Sequence, residues 1–245
     1  MRILAIDSSG LVATVAVVEE ENEISKTIAE YTINYKKTHS QTLLPMLDEI
    51  VKMTELDLKT IDAIAVAKGP GSFTGLRIGS ATAKGLGLAL DKPLVGIPTV
   101  EALAYNLYDV NGLICPIMDA RRKQVYTGIY RYEDHRLVTV KDQMAVGIEE
   151  LLSMLNEMGE TVTFLGDGVP VFKDIIADKL EVPFSFAPAH LSRQRAGAVG
   201  ALGVLYYKEG RTETAAEHKP DYLRVSQAER ERAQKLKKES EGEKA

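Results

Sequence analysis

The apolar positions of the chain fall into short alternating or continuous runs separated by turn residues, with helical spacings between them. Arg2 to Asp7 is a near-continuous apolar run, and Val12 to Val18 is another. Ser8-Ser9-Gly10 lies between them, so the pair reads as a hairpin. A third strand is expected within Ile24 to Ile33. Helical spacing follows over about Ser40 to Met53. His39, Leu43, Met46, Ile50 and Met53 make one row on that helix; Leu44, Leu47 and Val51 make the next. Pro45 fits best if the helix begins near Thr42. A buried strand at 61–67 then empties into Gly69-Pro70-Gly71, and a long helix is expected over 72–90. A strand at Leu94 to Ile97 and a short helix over 99–108 complete the first set.

The pattern then restarts. Ile114 to Asp119 parallels Ile3 to Asp7, and Gln124 to Tyr130 parallels the second strand. A third strand is expected at His135 to Val140, a helix at 147–158, a strand at Val162 to Leu165 and a turn at Gly166-Asp167-Gly168. Helices at 169–180 and 192–208 finish the order. Such internal repetition constrains the fold more than any single motif. Three strands, helix, strand, helix, occurring twice, predicts an α/β protein with the duplicated βββαβα plan of the actin-like, sugar-kinase and Hsp70 fold. Two lobes are expected, at 1–108 and 109–225. Residues 226–245 are rich in Glu, Lys, Arg, Gln and Ala and are expected to form a charged, solvated tail.

Composition narrows the setting. The 245 residues are 45% hydrophobic, enough for a substantial core. A net charge of -5 argues against broad nonspecific binding of nucleic acid. Arg121, Arg122, Lys123 and the tail are the local basic exceptions. One cysteine, Cys115, excludes an intrachain disulfide and suggests a cytoplasmic protein. The apolar runs are interrupted by Gly, Pro or charge, so no membrane span is expected.

The candidate chemistry sits at the turns. Asp7 and Asp119 end equivalent strands, where an actin-like plan can hold Mg²⁺ through water; a turn-capping carboxylate is the alternative. Arg121 and Arg122 can simply pair with Asp119. Ser8 and Ser9 could meet a phosphate, as could Gly69 and Gly71, which open a helix whose first N–H groups lack partners. Gly166 and Gly168 form the matching turn of the second half. No Walker spacing, Gly-x-Ser-x-Gly elbow or metal-like histidine spacing is present.

The helix at 72–90 is unusual in another way. Gly75, Gly79, Ala83 and Gly87 recur every fourth residue, and each interior glycine costs roughly 1 kcal/mol relative to alanine. Its other faces carry Phe73, Leu76, Ile78, Leu86, Leu88 and Leu90. A helix on one side of a sheet needs a single apolar stripe. This one has at least two, which reads either as core packing on both sides or as a face that docks a second chain.

Asp7-Ser8-Ser9, Thr38 to Pro45, Gly69 to Gly79 continuing through Ala83 to Leu86, and Pro220-Asp221-Tyr222-Leu223-Arg224 occur in this order. Together they resemble the bacterial TsaB (YeaZ) family over about residues 1–228. The resemblance implies a noncatalytic scaffold for the paralogue TsaD in threonylcarbamoyl transfer to adenosine of tRNA, in a complex with the ATPase TsaE. It also implies a capacity to homodimerise, contact with tRNA through the complex, and at most weak ATP or ADP binding with no required cofactor. The family's dimer surface maps onto His39, Leu43, Leu47, Val51, Thr74, Arg77, Ile78, Ala81, Thr82 and Gly85. TsaD carries His-x-x-x-His after its glycine-turn helix, whereas Thr99 and Leu103 stand at those positions here. Neither is a useful ligand for a catalytic metal, so no metal site and no independent transferase activity are expected. An independent ATPase or phosphotransferase is the alternative, and a peptidase a more remote one.

Overall fold

Residues 1–35 and 37–224 are described by the computed structural model; the tail expected at 226–245 lies outside them. The first sheet comprises β1 (Arg2–Asp7), β2 (Ala13–Glu21), β3 (Ile24–Ile33), β4 (Ala63–Gly69) and β5 (Leu94–Pro98). Its spatial order is β3-β2-β1-β4-β5. β1 runs antiparallel to β2, with Ala5 opposite Ala16, and parallel to β4, with Ala5 opposite Ala65. The second sheet comprises β6 (Leu113–Asp119), β7 (Gln124–Glu133), β8 (Arg136–Gly147), β9 (Val162–Leu165) and β10 (Phe184–Phe186). Its order, β8-β7-β6-β9-β10, repeats that of the first strand for strand. The duplicated plan read from the sequence is therefore the architecture of the chain.

β1 is apolar at consecutive positions because both of its faces are covered. On one side Leu4, Ile6, Val15 and Val66 meet α1 (His39–Met53) and α2 (Phe73–Leu90). On the other, Ile3, Ala5, Val18 and Ala65 meet α6 (Ala196–Lys208). The second sheet packs its outer face on α4 (Ile148–Met158) and α5 (Val169–Lys179). Its inner face takes Val100, Leu103 and Ala104 of α3 (Thr99–Tyr105), packed on Ile114, Met118 and Tyr130.

The two helices between the sheets are thus exchanged. The spans 1–108 and 109–225 hold the strands of the two sheets, but each lends a helix to the other. α3 follows β5 and covers the second sheet; α6 follows β10 and covers the first. The N-terminus of α6 is fixed to its host: Thr14 Oγ1 accepts from the Ala196 N–H at 3.1 Å, and Glu30 accepts from the Gly197 N–H at 3.0 Å. Glu30 also pairs with Arg195 and places a carboxylate at the positive end of the helix.

β8 runs to Gly147, well beyond the expected Val140. Lys141, Asp142 and Gln143 read as loop by polarity, yet they stay in the strand, and Asp142 and Gln143 face the cleft between the lobes. α1 starts at His39, one residue before the expected Ser40, which puts Pro45 inside the helix, on its exposed side.

Gly203 lets α6 sit directly on the first sheet. A β-carbon there would lie 2.7 Å from that of Ala65 and 3.3 Å from Ile3. Gly203→Val should therefore cost about 2 kcal/mol or more by overpacking, seen as a lower urea midpoint at unchanged slope. An unchanged midpoint would show that α6 is not seated as described.

Candidate functional site

The glycine turn is built by β4 emptying into α2. Gly69 adopts φ +124°, a conformation that L side chains avoid. What lies above the turn is the chain itself. A β-carbon on Gly69 would strike the carbonyl oxygen of Asp221, and one on Gly71 would strike that of Ser9. On Gly75 and Gly79 it would strike the Ser8 carbonyl and the Ser8 hydroxyl oxygen. The Ser72 N–H donates to Ser9 O at 2.6 Å, the Asp221 N–H donates to Lys68 O at 2.6 Å, and the Ser8 hydroxyl donates to Gly75 O at 2.9 Å. Backbone of the β1–β2 turn and of the 220–224 segment packs directly on the glycine turn. Phe73 stacks on Tyr222 at 4.8 Å between ring centroids and fastens the same segment.

The small-residue stripe of α2 faces inward. Gly75, Gly79, Ala83 and Gly87 are buried, turned toward β1 and Leu94 rather than a partner. Gly85 is different. It is exposed, and nothing lies within 4 Å of where its β-carbon would be. Its neighbours on the outer face of α2 are the exposed Thr74, Arg77, Ala81 and Leu88. Ile78 and Thr82 are half-buried toward α1, as are His39 and Val51 on α1.

Leu43 and Leu47, assigned by resemblance to the docking surface, are core residues here, packed with Leu4, Val15 and Val66. The exposed leucine of α1 is Leu44, at 58%. His39 also has an internal task, because its Nε2 meets Gly10 O at 2.8 Å.

Asp7 is buried at the end of β1. Its Oδ1 accepts the Ser9 N–H at 2.8 Å, and its Oδ2 has no partner among the described residues. Burial pushes its carboxyl up to about 6, against partial relief from the Ser9 hydrogen bonds and the nearby His39. Asp119 departs from that pattern. Its Oδ1 accepts the Arg121 N–H at 2.8 Å and its Oδ2 lies 3.3 Å from the Arg121 guanidinium, so it caps its own turn. The second glycine turn is also filled from within. A β-carbon on Gly166 would strike Ile117 O, and the Gly168 N–H donates to the same oxygen at 2.9 Å. Asp167 accepts the Asp119 N–H at 3.1 Å, and burial raises its pKa. Arg193 donates to Gly166 O.

A cleft of about 980 Å³ lies between the lobes, lined by residues including Lys68, Glu101, Tyr105, Asp142, Tyr206 and Arg211. Tyr206 donates its hydroxyl to Glu101 at 2.7 Å, and the Arg211 guanidinium sits over the Tyr206 ring. Sequence reasoning named none of these lining residues, since the walls come from separate strands and helices with no shared motif. Thr99 and Leu103 do not reach it; both are buried in α3.

The model of the TsaD family, described as a tRNA N6-adenosine threonylcarbamoyltransferase, matches residues 26–232. The duplicated sheets and paired glycine turns define an actin-like protein of that class. The solved structure of YeaZ from Pseudomonas aeruginosa superposes with a TM-score of 0.75 at 22% identity, covering 91% of this chain and 99% of that one. A polyphosphate/ATP-glucomannokinase from Arthrobacter shares the fold, with a TM-score of 0.52 at 12% identity over 84% of this chain and 99% of its own. The tRNA threonylcarbamoyladenosine biosynthesis protein TsaB of Bacillus subtilis is 37% identical over 229 residues, 94% of this chain and 96% of that protein. TsaB of Escherichia coli is 32% identical over 179 residues, 71% of this chain and 75% of its own. The chain belongs to the TsaB (YeaZ) family.

The raised pKa of Asp7 carries a sign. A carboxyl that is harder to ionise when folded contributes stability that is full below about 4 and lost as pH rises through about 6. The rise from the ordinary value of 3.8 corresponds to about 3 kcal/mol. Asp7→Asn should flatten the fall in stability between pH 4 and pH 6 and raise the melting temperature at pH 7. A variant whose pH profile parallels the wild type would mean that Asp7 is not held as described.

Proposed function

We propose that this chain is the noncatalytic partner of a TsaD-type enzyme in threonylcarbamoyl transfer to adenosine of tRNA, working in the cytoplasm with TsaE in the same complex. The observation that carries this reading is the outer face of α2. An interior helical glycine costs roughly 1 kcal/mol relative to alanine. Gly75, Gly79 and Gly87 each admit a neighbouring group within the chain; Gly85 admits none. A surface formed by Gly85, Ala81, Thr74 and Arg77, bordered by Ile78, Thr82, Val51 and Leu44, suits close approach of another helix, from the transferase or from a second copy of this chain.

Two further features support a partner over an enzyme. The glycine turns are occupied by the chain's own carbonyls, which are repelled by phosphate oxygens. The positions of the TsaD histidines hold the buried side chains of Thr99 and Leu103. Nucleotide, where it binds, is held weakly and is not needed for the scaffold role. The ATPase or phosphotransferase alternative requires Asp7, Ser8 and Ser9 to face a ligand; all three are buried, and α2 and its turn engage the Ser8 hydroxyl and the Ser9 carbonyl, leaving only Asp7 Oδ2 and the Ser9 hydroxyl without a partner among the described residues. Asp7 is not matched across the lobes by Asp119, which caps its own turn.

Gly85→Arg should leave the fold intact, because the space there is open, and should abolish co-purification with the TsaD-type enzyme. Gly85→Ala should stabilise the isolated chain by about 0.5–1 kcal/mol in thermal unfolding. Undiminished co-purification of Gly85→Arg and of a second variant, Ala81→Glu, would sink the assignment of this face. Threonylcarbamoyl transfer to tRNA by the purified chain without the transferase would sink the noncatalytic reading.

A further inference from the structure

The β6–β7 turn combines sterically costly backbone with positive charge. Arg121, Arg122 and Lys123 hold φ values of 64°, 56° and 58°. Left-handed geometry at one non-glycine residue is common in turns; three in succession require a surrounding structure that imposes them. The other left-handed non-glycine residues among those described occur singly or in pairs, and all are Asn, Asp, Glu or His. The turn is tightly closed. The Ala120 N–H donates to Gln124 O at 3.0 Å, the Gln124 N–H to Arg121 O at 3.1 Å, and the Ile148 N–H to Lys123 O at 3.0 Å.

Closure leaves donors over. Among the described residues no acceptor meets the N–H groups of Arg122 and Lys123. Successive left-handed residues curl such groups into a concavity that suits an anion. All three side chains are exposed. Arg121 shares one guanidinium nitrogen with Asp119, while Arg122 and Lys123 form no ion pair among the described residues. Arg224 adds a fourth cation, since its guanidinium donates to Ala120 O at 2.7 Å and so lies against the same turn. The nearest acid on α4, Glu149, is held by Lys179 at 2.8 Å. A local cationic surface therefore stands on a chain of net charge -5.

We propose that this turn binds phosphate oxygens of an RNA backbone, which, given the function proposed above and resting on it, is that of the tRNA being modified. Charge and free N–H groups suit phosphate from any source. A free nucleotide would also want a wall for its base, and no residue from Ala120 to Gln124 lines the interlobe cleft. An extended, exposed, base-indifferent cationic turn suits a nucleic-acid backbone, where such contacts position without reading sequence.

The experiment uses the complex with the TsaD-type enzyme and an unmodified tRNA transcript. Wild type is compared with Arg122→Gln and with the triple variant Arg121→Gln, Arg122→Gln, Lys123→Gln. Size-exclusion chromatography reports complex formation, thermal unfolding reports folding, and fluorescence anisotropy over a salt series reports tRNA affinity. The expected result is an intact complex whose tRNA affinity falls about tenfold in the triple variant. Its slope of log affinity against log salt should be shallower by about 2, because two to three phosphates are no longer neutralised. Arg122→Gln should show a smaller change in the same direction. Equal affinity and slope in both variants overturn the inference while leaving the scaffold reading intact. Loss of ADP or inorganic phosphate binding in calorimetry, with tRNA affinity unchanged, assigns the turn to a free phosphate and overturns the RNA assignment. Failure of the wild-type chain to form the complex overturns the scaffold reading, and the RNA surface falls with it.

Discussion

The carbonyl oxygens of Ser8, Ser9 and Asp221 converge on the turn at 69–71 and on the first turns of α2, and the rest of the molecule is arranged around that contact. Gly69, Gly71 and Gly75 are glycines because these oxygens lie where a side chain would start. The contact joins three distant parts of the chain: the β1–β2 turn, the β4–α2 turn and the 220–224 segment. It also explains why a Pro-Asp-Tyr-Leu-Arg segment follows α6 at all. Asp221 closes the turn through its backbone, Tyr222 stacks on Phe73, and Arg224 reaches across to Ala120 in the second lobe. Gln143 of β8 donates to the Asp221 carboxylate at 2.7 Å from the other side. The segment is a strap between lobes whose anchor is the glycine turn.

The exchange of α3 and α6 works in the same direction. Each sheet buries one face only because a helix from the other half covers it. Opening the lobes widely would pull these helices from well-packed cores, and cores of this kind resist continuous deformation. A nucleotide enzyme on this plan gains from movement between lobes. A docking partner gains from a fixed outer surface, and α1 and α2, which carry the proposed surface, lie on the covered sheet's far side from the cleft.

Much of the fold was legible because both halves repeat one order of strands and helices, and both sheets are covered on two faces. Strands such as β1 then read as continuous apolar runs, and the turns between them carry Ser, Gly and Asp. The candidate site was legible only in part. The Gly75, Gly79, Ala83, Gly87 stripe was visible in the sequence, but the groups that approach it are Ser8 and Leu94 of the same chain. Periodicity marks a face without saying what it faces. Leu43 and Leu47 were assigned through the resemblance to the family's dimer surface, and within this chain both pack in the core. β8 was read short because Lys141 to Gln143 are polar, although a strand bordering a wet cleft can hold polar residues in register. The residues that line the cleft left no sequence signal, as they come from elements far apart in the chain.

Gly85 is informative because it fails the test that its neighbours pass. A helical glycine that admits a strand, a turn or a side chain is accounted for by the monomer's own packing. One that admits nothing weakens the isolated helix without return inside the chain, so any compensation lies outside it. The same logic distinguishes the two hairpin turns. Ser8 turns its hydroxyl onto Gly75 and Ser9 its carbonyl onto the Ser72 N–H, while the Ser9 hydroxyl meets no partner among the described residues. Arg121 and Lys123 close their hairpin through their carbonyls, while the N–H groups of Arg122 and Lys123 meet no acceptor among the described residues and all three side chains are exposed. Among the described residues, the outer face of α2 and the β6–β7 turn thus carry features that the packing of one chain does not account for.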